Sequence, residues 1–253
     1  MQKTIPSARF LAEGSIIVVS ILLAFGVDAW WESRQQARRV EEALTNLEAA
    51  FVMNRTLLEE EVERLRTWRE GLAVFHEKSG APVGTEAAQF ALTAIHRPIV
   101  TNLNSEEVLA LLEDAALLQL SDPAFQAATA RWRAMWKTIL ASHESIYRLQ
   151  NAALVALARR PATRVEVASG EGEWADPNLA LREARADDEI VALATAKLQY
   201  WSALNSLYVA QMTRVDAVIE QIRRHRDERH IADYTSTLSN KELLLSAEAV
   251  RSR

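Results

Sequence analysis

The sequence contains no cysteine and few of the residues that usually interrupt helices. The missing thiol excludes disulfide frameworks, thiol nucleophiles, cysteine-ligated zinc and iron–sulfur clusters. Seven glycines and six prolines in 253 residues are too few for a turn-rich all-β sandwich or a glycine-dependent nucleotide fold. We therefore predict an all-α fold built from long helices.

The charge balance is slightly acidic, with 34 Asp and Glu against 29 Lys and Arg, which gives a net charge of -5. Such a chain has no global electrostatic attraction to nucleic acid, so nucleic acid is not a predicted partner. Hydrophobic residues make up 49% of the chain, a share typical of a protein that folds around a core.

The longest apolar run covers residues 10–31, which we predict to be a transmembrane helix behind a short basic leader at 1–9. Its length corresponds to about 33 Å of helix, close to the hydrocarbon thickness of about 30 Å, whereas its uncharged centre at 14–27 reaches only about 21 Å. Glu13 and Asp28 would therefore lie near the two interfaces. Trp30 and Trp31 follow at one end, where indole side chains favour the headgroup layer.

Two alternatives to a retained membrane helix stay open from the sequence. Lys3 and Arg9 give a basic start and residues 24–26 offer small side chains at a permissible spacing, so a cleaved signal peptide is one alternative. A buried helix of a globular core is the other. For the orientation, a short basic leader before a large domain favours an N-terminus inside and a domain outside the cytoplasm.

Three long stretches repeat apolar residues at spacings of three, four and seven, which predicts helices that pack as an antiparallel bundle over residues 32–230. The first stretch continues the membrane helix as a stalk to Lys78. The second begins at Pro123 and ends at Pro161, and the third runs from Asp187 to about Glu228. Residues 231–253 are predicted to be a tail with a short helix, because Ser239 and Glu242 form a capping-box pattern.

The segments between the long helices contain patterns typical of short helices, helix caps and loops. A short helix is predicted over 86–95, and Asn104 with Glu107 forms a capping-box pattern ahead of a single helix. Asp122 is suited to cap the helix that Pro123 begins. Residues 161–186 contain Gly and Pro and are predicted to be a surface loop.

Three stretches carry a recognisable pattern: ILLAFGVDAWWESRQ at 21–35, LTNLEAAFVMNRTLLEEE at 44–61 and LLEDAALLQLSDPAF at 111–125. In these stretches the chain resembles a family of uncharacterised bacterial single-pass membrane proteins. In that family a membrane helix ends in Asn or Asp plus Trp and Glu, and a helical domain containing an Asn follows. The matching residues are Asp28, Trp30, Trp31, Glu32 and Asn54, although Trp31 stands where many relatives carry Asn. The resemblance implies an inner-membrane anchor with an all-α domain, and it implies no activity.

Familiar catalytic and metal motifs fail in this sequence. His143-Glu144 lacks the second histidine of a zinc protease, and Asp227 to His230 is a single near match to a di-iron pattern that must occur twice. No glycine-rich phosphate loop or nucleophile elbow occurs. We therefore predict no enzyme activity, no cofactor, no metal site and no catalytic residue, and a structural role for His143.

The candidate interaction residues are polar or aromatic residues in unusual places. Asn54 and Glu61 interrupt the apolar stripe of the first long helix, and Asn205 interrupts that of the third. A polar residue in a helix seam fixes register or oligomeric state at a cost in stability, unless the stripe drifts and leaves it at the edge in contact with water. Asp28, Trp30 and Trp31 complete the set at the predicted membrane interface.

These observations predict a membrane-anchored helical interaction or scaffolding module of the bacterial envelope. The domain would lie in the periplasm, with the lipid bilayer and a protein partner or a second copy of the chain as its partners. The alternative is a ligand-sensing extracytoplasmic bundle that acts through a partner protein, with its site formed by the loops at 79–104 and 161–186.

Overall fold

The computed structural model describes residues 7–77, 83–97, 103–118, 120, 122–160, 174 and 176–251, with the backbone alone at 7–14, 16 and 229–251. Within these ranges the protein is all-helical and contains no strand, so the predicted fold class is confirmed. The helices are α1 (Ser7–His76), α2 (Thr85–His96), α3 (Ser105–Leu111), α4 (Ala115–Leu118), α5 (Pro123–Ala158), α6 (Pro177–Arg185) and α7 (Asp188–Arg251).

Helix α7 lies between α1 and α5 and is antiparallel to both. Along α1, Arg226 pairs with Glu41 and Asp216 pairs with Arg55. Along α5, three contacts give the same direction, joining Asp122 to Arg224, His143 to Tyr208 and Asp187 to Arg160. The apolar stripes of the three helices meet in one core, which includes Leu44, Phe51, Trp132, Trp201 and Tyr208. The predicted antiparallel packing of long helices is confirmed.

The helix ends follow local hydrogen-bonding chemistry. Asp122 caps α5 through its Oδ1 atom, which accepts hydrogen bonds from the backbone N–H groups of Ala124 and Phe125 at 2.8 and 3.2 Å, as predicted. Asp176 caps α6 in the same way ahead of Pro177. At the other end of the body, the Arg185 guanidinium donates to the carbonyls of Val74 and Phe75 and so closes the C-terminus of α1.

Three predicted boundaries are wrong. The single helix expected after Asn104 is two helices, because Asp114 accepts from the Ala116 N–H at 2.7 Å and begins a new turn, and the Asn104 side chain makes no cap bond. Part of the predicted loop at 161–186 is α6, whereas 161–173 and 175 lie outside the described residues. The predicted break near Glu228 and the separate tail helix are absent, since α7 runs on to Arg251 through a stretch without Gly or Pro.

The N-terminal part of α1 projects from the body. No side chain described between residues 15 and 39 is buried, and the first buried residue is Val40. From Ser7 to Arg39 the projection measures about 50 Å. The transmembrane helix predicted over 10–31 is not supported, because no helix in the described part of the chain is long and apolar enough to cross a membrane. Charged residues at 13 and 28 bound the uncharged stretch, which leaves about 21 Å of helix.

Gly71 lies where α1 packs closely against α2. A Cβ atom added there would lie 2.8 Å from the Ala94 Cβ atom and 3.2 Å from a ring carbon of Phe90. Such a contact would force the two helices apart. The close packing therefore explains a glycine in a helix interior, where its helix propensity is poor.

We expect Gly71→Ala to lower the free energy of unfolding by about 1 kcal/mol. Overpacking costs about 1–3 kcal/mol, and the better helix propensity of alanine returns about 1 kcal/mol of this. Thermal unfolding followed by circular dichroism measures the change. Gly26→Ala is the matched control, since nothing lies within 4 Å of an added Cβ there, and it should not lower the melting temperature. Equal melting temperatures for the two variants would contradict the close packing.

Candidate functional site

Exposed apolar side chains are concentrated on the projecting part of α1, and we call residues 17–31 the apolar segment. Ten of its large side chains are between 49% and 68% exposed: Ile17, Val18, Val19, Ile21, Leu22, Leu23, Phe25, Val27, Trp30 and Trp31. Consecutive residues of an α-helix point 100° apart, so these side chains surround the helix instead of forming one stripe. A helix that is hydrophobic on all sides is normally buried in its native setting.

The C-terminal end of the apolar segment combines aromatic and charged groups. The rings of Trp30 and Trp31 lie 6.5 Å apart, and the Arg34 guanidinium lies 5.4 Å from the centre of the Trp30 ring. Asp28 and Glu32 are exposed on the same stretch of helix. The structure therefore places the sequence-predicted residues Asp28, Trp30 and Trp31 together on the projecting helix, away from the body.

The polar residues of the seams have three different environments. Asn54 is 1% exposed, and its Nδ2 atom has no hydrogen-bond partner among the described residues. Glu61 is also buried and accepts a hydrogen bond from the Arg64 guanidinium at 2.8 Å, and burial raises the pKa of its carboxyl. Asn205 is half-buried. No hydrogen bond joins any two of these three side chains in the part of the chain that the structure describes.

A buried lysine on α7 was not predicted from the sequence. Lys197 is 1% exposed, and its Nζ atom donates to the carbonyls of Ile95 and Arg97 at 2.7 and 3.0 Å. The ammonium therefore closes the C-terminus of α2, where cations complement the helix dipole. Its Nζ atom also lies 4.8 Å from the centre of the Trp201 ring. Burial lowers the pKa of Lys197 to about 7.

His96 lies beside this lysine at the end of α2. Its Nδ1 atom is 3.1 Å from the Leu92 carbonyl oxygen, and its ring meets the Trp174 ring edge-on at 5.3 Å. Burial, together with the positive charges of Lys197 and Arg97, lowers the pKa of the imidazole. A spacing of three and four residues does not distinguish Lys197 from a surface lysine, because its two carbonyl partners lie at the end of α2, about 100 residues away in the chain.

Further polar contacts join α7 to α5 and to α1, and one of them involves His143, for which the sequence predicted a structural role. His143 Nε2 lies 2.7 Å from the Tyr208 hydroxyl, in the seam between α5 and α7, and burial lowers the pKa of His143. The arginines near the end of the bundle hold α7 to α1, since Arg223 pairs with Glu48 at 2.6 Å and Arg226 pairs with Glu41 and Glu48. Within the described ranges, no group of three His, Asp or Glu side chains is placed to hold a metal ion.

Two clefts are lined by described residues of the body, and both lie away from the loops that the sensing hypothesis needs. One cleft of about 310 Å³ lies between α1 and α4, lined by Arg39, Glu42 and Asp114 among others. Another of about 560 Å³ lies between α1 and α7, lined by Arg55, Asp216 and Arg223 among others. Neither contains a residue of 79–104 or 161–186.

We expect Lys197 to make stability rise with pH. Its pKa is about 7 in the folded protein and 10.5 in an unperturbed lysine, so between these values the unfolded chain binds the extra proton. The free energy of unfolding then increases with pH, by up to about 1.4 kcal/mol per pH unit. Urea unfolding between about pH 7.5 and 9.5 measures the wild type and Lys197→Met. The free energy of unfolding of the wild type, minus that of Lys197→Met, should increase with pH.

Lys137→Met is the control for this measurement because Lys137 is exposed on α5. Its stability difference from the wild type should stay constant over the same range. A constant difference for Lys197→Met as well would show that the buried amine keeps an ordinary pKa.

We expect Asn54→Leu to raise the free energy of unfolding by about 1 kcal/mol, because it removes a buried donor that has no acceptor among the described residues. Asn205→Leu, at a half-buried position, should change stability by less than about 0.5 kcal/mol. Thermal unfolding measures both variants. If Asn54 also fixes register, analytical ultracentrifugation of Asn54→Leu in detergent will show a broader oligomer distribution. A lower melting temperature with an unchanged oligomer would identify an ordinary structural hydrogen bond.

Comparison with known proteins gives no relative on which to base a function. No family model matches the chain. No curated protein and no solved structure is significantly similar to it. The resemblance to single-pass bacterial membrane proteins therefore stays a prediction, and the function must be argued from the geometry.

Proposed function

We propose that this protein is a membrane-anchored helical module of the bacterial envelope that holds a protein partner and catalyses no reaction. The observation that carries the proposal is the apolar segment, in which ten large side chains are exposed around a helix that the body does not cover. Burying their remaining surface would contribute on the order of 10 kcal/mol, since a large apolar side chain contributes about 1.5–3 kcal/mol when it is fully buried.

A lipid bilayer fits this surface better than a protein groove. A groove receives one apolar face of a helix and leaves the opposite face in water, whereas lipid surrounds the helix. The apolar side chains point to all sides between Ile17 and Val27. The bilayer therefore covers the apolar surface in full, and the body stays outside it.

The proposed arrangement places residues 10–31 in the membrane as a single-pass anchor. Trp30 and Trp31 lie in the headgroup layer on the side of the body, and Asp28 reaches the interface beside them. The N-terminus lies in the cytoplasm and the body in the periplasm. The rigid packing of α7 between α1 and α5 then presents a fixed helical surface to a partner, and this is the scaffolding part of the proposal.

We expect Leu22→Asp together with Phe25→Asp to release the protein from membranes. A carboxylate at the centre of a membrane helix costs about 2.5–3.5 kcal/mol, so two of them cancel much of the burial gain. Flotation with neutral phosphatidylcholine vesicles and fractionation of cells measure the release. The control is Leu140→Asp together with Val155→Asp, on exposed apolar positions of α5 that are 49% and 52% exposed.

The wild type and the control should float with vesicles, and the α1 variant should stay in the soluble fraction with an unchanged circular dichroism melt. Retention of the α1 variant on vesicles would contradict the anchor. The scaffolding part is tested separately by crosslinking in intact cells, where the absence of a reproducible protein partner would contradict it.

A further inference from the structure

Helix α1 has a basic and aromatic face where it leaves the apolar segment. At 100° per residue, Trp30, Arg34, Arg38 and Trp31 lie within an arc of about 100° in that order. Asp28, Glu32 and Arg39 lie within about 40° of one another on the other side of the helix. All seven side chains are exposed. We call Trp30, Trp31, Arg34 and Arg38 the basic–aromatic face.

The arginines of this face differ from those that hold the bundle together. Arg55 pairs with Glu59 and Asp216, and Arg226 pairs with Glu41 and Glu48. For Arg34 the contact that the structure gives is the Trp30 ring at 5.4 Å. No carboxylate of the described residues forms an ion pair with Arg34 or Arg38. The guanidinium groups of Arg34 and Arg38 are therefore placed to bind a partner outside the body.

We propose that the basic–aromatic face binds the headgroups of anionic lipids. This inference rests on the proposed membrane anchor. It adds a preference among lipids and a defined side of the helix that turns towards the membrane surface.

The spacing along the helix fits the thickness of the interfacial layer. Arg34 is about 6 Å and Arg38 about 12 Å beyond Trp30 along the axis, and the polar layer on each side of the hydrocarbon is about 5–8 Å thick. With Trp30 at the lower edge of the headgroups, Arg34 lies among the phosphates and Arg38 reaches them from just outside. A guanidinium binds a phosphate through two parallel hydrogen bonds, and stacking on Trp30 orients the guanidinium of Arg34 for this contact.

The opposite side of the helix favours the same orientation. Asp28 and Glu32 are repelled by a negatively charged surface, so α1 is expected to tilt with the basic–aromatic face towards the lipid phosphates. Arg39 lies on the acidic side and is not part of the proposed face.

The test compares vesicle flotation of the full-length chain on pure phosphatidylcholine and on a three-to-one mixture of phosphatidylcholine and phosphatidylglycerol. The variants are Arg34→Gln with Arg38→Gln, and a control with the same charge change, Arg131→Gln with Arg148→Gln, at exposed positions of α5. The measured quantity is the lipid concentration at which half of the protein floats. Each variant is measured at low and at high ionic strength.

We expect the wild type to bind the anionic mixture more tightly than the neutral lipid. One arginine near an anionic surface contributes roughly a fivefold preference, so the α1 double variant should lose about 25-fold on the anionic mixture and little on the neutral lipid. The control should lose much less, and high ionic strength should remove the difference.

Four results would overturn the inference. Equal losses in the two double variants would show a general effect of net charge, and an equal loss on neutral vesicles would show a role in insertion and not in lipid choice. Equal binding of the wild type to both vesicles would remove the lipid preference while leaving the anchor in place. If the wild type floats with neither vesicle, the anchor itself fails and the inference fails with it.

Discussion

The packing of α7 between α1 and α5 is the constraint on which the rest of the structure depends. Trp201 and Tyr208 of α7 are fully buried, and Phe51 of α1 meets Trp132 of α5 edge-on at 5.2 Å. Ion pairs join α7 to α1 between Glu41 and Arg55, and to α5 near both of its ends. The smaller helices α2, α3, α4 and α6 pack against the three long helices and complete the body.

Several polar side chains are buried in the body, and they differ in how their hydrogen bonds are satisfied. Lys197 is satisfied by two carbonyls at the end of α2, and Gln211 donates to the Trp132 carbonyl at 3.3 Å. Asn54 keeps a buried amide nitrogen without an acceptor among the described residues. A satisfied buried group specifies one arrangement of helices, whereas an unsatisfied one costs stability. The bonds of Lys197 therefore help to specify how α2 docks, whereas the unpartnered amide of Asn54 costs stability.

The two parts of the continuous helix α1 differ in where their apolar side chains lie. From Val40 onwards, one face is buried against the body and the other carries charges, many of them in ion pairs. Before Val40, the side chains described are all exposed and the apolar ones point to every side. The first pattern is that of a helix in a globular core, and the second needs a surrounding apolar medium. This difference is the reason for proposing a bilayer as the partner of the first part.

The sequence by itself determined the fold class, the three long helices and the Asp122 cap, because these depend on apolar periodicity and on local hydrogen bonds. It also predicted an interface role for the residues at 28, 30 and 31 from their position at the end of the apolar run. Only the tertiary structure decided that Asn54 is buried while Asn205 is half-exposed, since both interrupt a stripe in the same way and differ in what covers them. The hydrogen bonds that satisfy the buried Lys197 were likewise decided by the docking of α2, which lies about 100 residues away in the chain. Periodicity records which side of a helix is apolar, whereas burial depends on the position of another helix, and no local pattern encodes that position.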